Sequence, residues 1–162
     1  MATIYKNLSD HDQETIPSGK GHKFAIVVSE WNSNVTFSMA DAAVQQLKRS
    51  GVEENDISVH YVAGSFELIY ASTAIAKHPT PPSAIIAIGC IVRGETPHFD
   101  YISEAVAVNI GKLNVDYNTP VILGVLTTDT MQQALDRSGG KHGNKGDEAA
   151  VTALKLVKEF AL

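Results

Sequence analysis

The chain alternates between short, continuously apolar runs and longer stretches in which apolar residues recur at helical spacing. Phe24-Ala25-Ile26-Val27-Val28 is the first run, and residues 57–62, 84–88 and 121–126 read the same way. A run that is apolar at successive positions suits a strand covered on both faces. Between and after the runs come the helical stripes. Met39, Ala40, Ala43, Val44 and Leu47 share one face, and Ser50-Gly51 supplies a stop. A second helix opens at Ser65 or Glu67, passes through Leu68, Ile69, Ser72 and Ala76, and ends near Pro79. Phe99, Ile102, Val106, Asn109, Ile110 and Leu113 line a third. Met131, Ala134 and Leu135 make a short fourth, broken at Gly139-Gly140, and Ala150, Ala153, Leu154, Val157 and Phe160 make a fifth.

Repeated strand–helix alternation predicts an α/β fold, a four-stranded parallel sheet between two helix layers in a three-layer α/β/α sandwich. Right-handed crossovers then bring every strand-to-helix loop to one edge, where ligands of such sheets bind. Four loops are expected to converge there: residues 29–36, 63–67, 89–98 and 127–130. Residues 1–21 are polar and mixed and read as an N-terminal arm, with Ile4, Tyr5 and Leu8 available to pair with a neighbouring subunit. Residues 22–162 form the single domain, and Thr80-Pro81-Pro82-Ser83 is a turn inside it.

Bulk composition narrows the function classes. With 162 residues the chain can bury a real core. A net charge of −5 argues against nucleic acid held by phosphate neutralisation, although a local basic patch can still hold a small anion. The one cysteine cannot form an internal disulfide, which suits a reducing compartment. No apolar run approaches the roughly 18–20 residues of a membrane span. The first residues lack the charged-then-apolar layout of a signal peptide. A cytoplasmic protein is expected.

The loops carry unusual chemistry. In the first, Trp31 can stack on a flat heterocycle while Asn32 offers amide donors and acceptors; a tryptophan packed against a helix or subunit is the alternative. In the second, Ala63-Gly64-Ser65-Phe66-Glu67, free backbone N–H groups can meet a ligand oxygen and Glu67 can accept from sugar-like hydroxyls. The same residues also suit a plain Ser65 cap. The third loop gathers Arg93, Gly94, Glu95, Thr96 and His98, and a histidine there can move protons near neutral pH. A helix cap with a solvent-facing histidine is the alternative. Residues 137–146 hold three fixed positive charges, no acid and several glycines, which suits an anion site or a solvated basic turn. The glycine–lysine spacing is not that of a P-loop. The six histidines show no metal-ligand spacing, and Cys90 reads as buried packing.

Four ordered motifs carry a family resemblance: Ile26-Val27-Val28-Ser29-Glu30-Trp31-Asn32, Ala63-Gly64-Ser65-Phe66-Glu67, the stretch 89–100, and the stretch 137–146. Together, at their spacings, they resemble the 6,7-dimethyl-8-ribityllumazine synthases, flavodoxin-like transferases of riboflavin biosynthesis. The resemblance runs from about Phe24 to the C-terminus. It implies condensation of 5-amino-6-(D-ribitylamino)uracil with 3,4-dihydroxy-2-butanone 4-phosphate, giving the lumazine, phosphate and water, with no cofactor and no metal. It further implies that Trp31 stacks on the pyrimidine, that Asn32, Ser65 and Phe66 hold it, and that Glu67 and Lys145 meet the ribityl chain. Cys90, Ile91 and Val92 would line the ring pocket through backbone groups. Gly94, Glu95, Thr96 and Arg137 would grip the butanone phosphate, and His98 would transfer protons. Three positions depart from the usual pattern. Trp31 stands where phenylalanine is common, which preserves stacking. Leu123 stands where many members place a phenylalanine that reaches the neighbour's ring, so its part in substrate binding is weaker. Pro97 precedes His98 where other residues are common, a change expected to leave the chemistry as it is.

The resemblance also implies partners: the two small-molecule substrates, other copies of the chain in a homopentamer with active sites between subunits, and riboflavin synthase. The compact turn at 139–146 resembles members that build sixty-subunit capsids. Two further classes compete with the enzyme, a ribityl- or flavin-binding module without catalysis and a structural shell protein.

Overall fold

The computed structural model describes residues 7–162. Four strands, β1 (Phe24–Ser29), β2 (Ile57–Val62), β3 (Ala84–Val92) and β4 (Val121–Thr128), form one parallel sheet in the order β2-β1-β3-β4. Five helices, α1 (Ser33–Arg49), α2 (Leu68–Ala76), α3 (His98–Asp116), α4 (Met131–Leu135) and α5 (Lys145–Phe160), complete the three-layer α/β/α sandwich. The expected alternation holds. All of β1 and the first seven residues of β3 are buried, as continuous apolar runs require.

Side-chain alternation along β1 splits the core in two. Phe24, Ile26 and Val28 point to one face, where Met39, Ala43 and Leu47 of α1 meet Ala150, Ala153 and Leu154 of α5. Ala25 and Val27 point to the other, against Leu68 of α2 and Val106, Ile110 and Leu113 of α3. The helical stripes read from the sequence are the surfaces that close these two layers, except at Leu135 and Phe160, which are exposed.

The edges of the sheet differ from expectation. Strand β2 is not covered on both faces: Ser58, His60 and Tyr61 are exposed because this strand lies outermost with no helix over its rim. At the opposite edge Leu123 of β4 is exposed. Helix α2 begins at Leu68, with Glu67 rather than Ser65 at its cap position and no side-chain cap bond. The glycine-rich segment after α4 makes a two-stranded antiparallel hairpin, β5 (Ser138–Gly140) with β6 (Gly143–Asn144). In the arm, Ile4 and Tyr5 lie outside the described residues. Leu8 is buried against its own chain, with its N–H on the His142 carbonyl (2.8 Å), and the Ser9 hydroxyl accepts from Asn144 N–H (2.9 Å). No helix among the described residues is long and apolar enough to cross a membrane.

Helix α5 starts in close contact with α1. The Asn144 side chain caps it by accepting from Gly146 N–H (2.9 Å), and acidic Asp147 and Glu148 in the first turn favour the helix dipole. Gly146 sits directly on α1, so that a Cβ there would run into the Met39 carbonyl. Gly111 in α3 faces open space. Gly146→Ala is therefore expected to destabilise the protein by about 3 kcal/mol or more, and Gly111→Ala to be neutral or stabilising by up to about 1 kcal/mol. Denaturant midpoints of the two variants check this; equal midpoints would show that α1 and α5 do not meet so closely.

Candidate active site

The carboxyl edge of the sheet is built from the ends of β1, β2 and β3. Beyond β1 the chain follows the second loop, with Glu30 N–H on the Val62 carbonyl (2.8 Å) and Trp31 N–H on the Ala63 carbonyl (3.0 Å). Asn32 then turns into α1 in the left-handed conformation (φ 60°, ψ 42°). That region costs most L-residues about 1–2 kcal/mol, and asparagine tolerates it best after glycine. From there the Asn32 side-chain amide donates to the Cys90 carbonyl (3.0 Å) and ties the first loop to the end of β3.

Trp31 is 67% exposed and lies across Gly64, where a Cβ would come within 2.7 Å of the indole. Only glycine lets the ring rest on the second loop in this way. Glu67 turns back so that its Oε2 accepts from Gly64 N–H (3.0 Å), leaving Oε1 free for a ligand. Ser65 is buried, and its hydroxyl has no partner among the described residues. Gly89 makes room for it, since a Cβ there would lie 2.6 Å from the hydroxyl. Burial pushes the Cys90 thiol up to about 11, so it stays protonated at neutral pH and is not a nucleophile.

These loops enclose a cavity of about 420 Å³, a size suited to a small molecule. Trp31 and Asn32 form one wall, and Ser65, Phe66 and Glu67 a second. Cys90, Ile91 and Val92 form the floor, with Gly94, Thr96 and His98 at the third side. Glu95, Leu123, Arg137 and Lys145 do not line it. Nor does the fourth loop, 127–130, so three loops converge rather than four. The reason is geometric: β4 lies beyond β3 at the far edge, and its end meets the site's surroundings through β3, by the sheet ladder, the Arg93 N–H on the Thr128 carbonyl (2.8 Å) and an ion pair of Asp129 with Arg93 (2.8 Å).

Phe99 and Ile102 also line the cavity. Their helical spacing marked them as core residues of α3. The one sequence signal that the same stripe begins inside the site is that Phe99 directly follows His98, the helix's first residue.

The basic segment is more neutral than its sequence suggests. Lys141 pairs with Asp136 (3.1 Å) and Lys145 with Glu148 (2.8 Å), both acids lying just outside the stretch. The Gln132 amide and the Lys141 ammonium together hold Asp136 below the usual carboxylate range. Arg137 donates to the Gln133 carbonyl (2.9 Å) and has no carboxylate partner among the described residues.

A parallel sheet covered on both faces, with a largely apolar cavity at its strand ends and a few convergent polar groups, defines an α/β protein built to take a small molecule at that edge. Comparison with known proteins narrows that class to a family. The family model described as 6,7-dimethyl-8-ribityllumazine synthase matches residues 21–161. A protein of that description from Porphyromonas gingivalis is 55% identical, the match covering 97% of both chains. One from Phocaeicola vulgatus is 49% identical, over 97% of this chain and 93% of the relative, and one from Parabacteroides distasonis 48%, over 97% and 98%. The chain belongs to the 6,7-dimethyl-8-ribityllumazine synthase family.

Trp31 is the sole tryptophan, so its emission reports on the site directly. Gly64→Ala is expected to displace the indole and shift that emission while changing stability by no more than about 1 kcal/mol. Emission identical to that of the unsubstituted protein would show that the ring does not rest on Gly64.

Proposed function

We propose that this chain condenses 5-amino-6-(D-ribitylamino)uracil with 3,4-dihydroxy-2-butanone 4-phosphate to give 6,7-dimethyl-8-ribityllumazine, phosphate and water, the penultimate step of riboflavin biosynthesis. The observation that carries this reading is the gathering of Trp31, Glu67 and His98 round one cavity in a chain of this family.

The chemistry follows from the groups available. The pyrimidine stacks on Trp31 and Phe66, with backbone groups of Cys90, Ile91 and Val92 at its edge. Asn32 spends its amide N–H on Cys90, so its Oδ1 and the free Ser65 hydroxyl remain for the ring. Glu67 Oε1 accepts from the ribityl hydroxyls. The 5-amino group attacks the ketone carbon, and loss of water leaves an imine. Removal of the proton from the adjacent hydroxyl-bearing carbon expels phosphate and leaves an enol, which tautomerises to a new ketone. The ribityl-bearing nitrogen attacks that carbonyl, and loss of a second water closes the ring. His98 transfers the protons, and no residue forms a covalent bond to substrate. Holding two substrates together supplies much of the rate.

The departing phosphate needs a cation, and among the described residues no lysine or arginine lines the cavity. Gly94, Glu95 and Thr96 offer the loop that grips it, and Arg137, without a carboxylate of its own, is the fitting charge. Arg137, Lys145 and Leu123 lie away from their own chain's cavity. We infer that an adjacent subunit of a homopentamer supplies them, and the exposed sheet edges are consistent with such packing. The compact hairpin of β5 and β6 favours a further, sixty-subunit capsid. The cytoplasm is the expected site of action, with riboflavin synthase taking the product.

Turnover of the two substrates, followed by lumazine fluorescence, tests the reading; binding of a yellow ligand without turnover would favour a carrier instead. His98→Ala is expected to lower kcat by about 10²–10⁴-fold with little change in pyrimidine affinity. Arg137→Ala is expected mainly to raise KM for the phosphate substrate. An unchanged kcat in the first variant, or an unchanged KM in the second, would remove that residue from its role.

A further inference from the structure

The loop that carries Thr96 and His98 is poorly anchored by its own backbone. Residues 93–98 are all exposed. The sheet ladder stops at Arg93 N–H on the Thr128 carbonyl (2.8 Å), and the next backbone bond is that of Asp100 N–H to the Pro97 carbonyl (3.0 Å). Yet a catalytic proton carrier must be held to within a fraction of an ångström.

One side chain spans this gap. Arg93 Nε donates to Asp129 Oδ1 (2.8 Å) beyond the end of β4, and its NH1 donates to Asp100 Oδ1 (3.0 Å) in the first turn of α3. Its guanidinium carbon lies 4.1 Å from the centre of the Phe99 ring, the residue that follows His98. The planar fork is thus fixed by a carboxylate at each of two edges and by a ring across its face. Isolated surface ion pairs do little. Here the three contacts meet on one group, and they join the start of the loop, the start of α3 and the neighbouring strand. With two carboxylates already on it, Arg93 is electrically satisfied and unsuited to holding a phosphate.

We propose that Arg93 is a positioning residue for the condensation: by clamping Asp100 and Asp129 and stacking on Phe99, it fixes the 94–98 loop so that Thr96 and His98 meet the substrates. This rests on the function proposed above and goes beyond it, since Arg93 itself touches no substrate.

The test uses the full-length protein, with Lys48→Ala as a control that breaks the exposed Lys48–Glu54 pair (2.9 Å) far from the site. Arg93→Ala is expected to lower kcat by about 10–100-fold while KM for the pyrimidine stays within about twofold. Arg93→Lys keeps the charge without the fork and is expected to recover only a small part of the loss. Guanidinium ion added at millimolar concentration is expected to restore part of the Arg93→Ala rate, a response that a merely misfolded variant does not give. The double variant Asp100→Asn/Asp129→Asn should fall towards Arg93→Ala, and it keeps the test alive if Arg93→Ala does not fold. The proposal is overturned if Arg93→Ala retains wild-type kcat, if Arg93→Lys is fully active, or if the double asparagine variant keeps wild-type kcat. Absence of lumazine from the unsubstituted protein would instead sink the proposed function, so the two failures are distinct.

Discussion

The structure depends on one constraint: β1 is hydrogen-bonded on both sides and buried on both faces. Its partners are β2 and β3, both parallel to it, and its register with β3 sets Val28 opposite Ile88 at the carboxyl end. A parallel pair cannot be closed by a tight turn, so each connection must cross over the sheet through a helix. Those helices cover the two faces, and each fully buried valine or isoleucine then contributes roughly 1.5–3 kcal/mol. The same crossovers bring the ends of β1, β2 and β3 to one edge. The cavity is a consequence of the ladder, and the loops need only supply side chains to a place that the strands have already made.

Within the cavity rigid and loose parts are separated. The floor is strand backbone at Cys90, Ile91 and Val92, and the Asn32 amide pins the first loop to it. Trp31 rests on Gly64 and Glu67 folds back on the same residue, so the second loop is organised by one glycine. The third loop lacks such a backbone anchor and is tied instead through the Arg93 side chain. The part proposed to recognise a flat ring is thus built on the ladder. The part proposed to move protons and release phosphate hangs from a charge cluster, and among the described residues no lysine or arginine of the same chain lines the cavity.

Much of this was legible in the sequence, for identifiable reasons. Continuous apolar runs found β1 and β3 because strands buried on both faces leave no room for polar positions. The same rule misjudged β2, where Val59 and Val62 gave an apolar reading while His60 and Tyr61 face outward. Whether a strand is central or at an edge is a property of topology, which a local run does not carry. The β5–β6 hairpin was hidden because its glycines and polar residues lack any period. Counting charge inside 137–146 missed Asp136 and Glu148, which lie one and two residues outside and neutralise two of its cations. The cavity gathers the expected residues of the first three motifs, Glu95 apart, because strand ends are fixed by the fold. It leaves out Leu123, Arg137 and Lys145, which the family resemblance alone had joined to it.

The central claim is that the cavity of one chain becomes an active site only when another chain supplies the cation. Mixing tests it most directly. His98→Ala and Arg137→Ala chains, each slow alone at limiting phosphate substrate, are dissociated, combined in equal amounts and reassembled. If each site draws His98 from one subunit and Arg137 from the next, about a quarter of the sites regain both, and activity rises towards about a quarter of wild type. A mixture no more active than its two components would contradict the account.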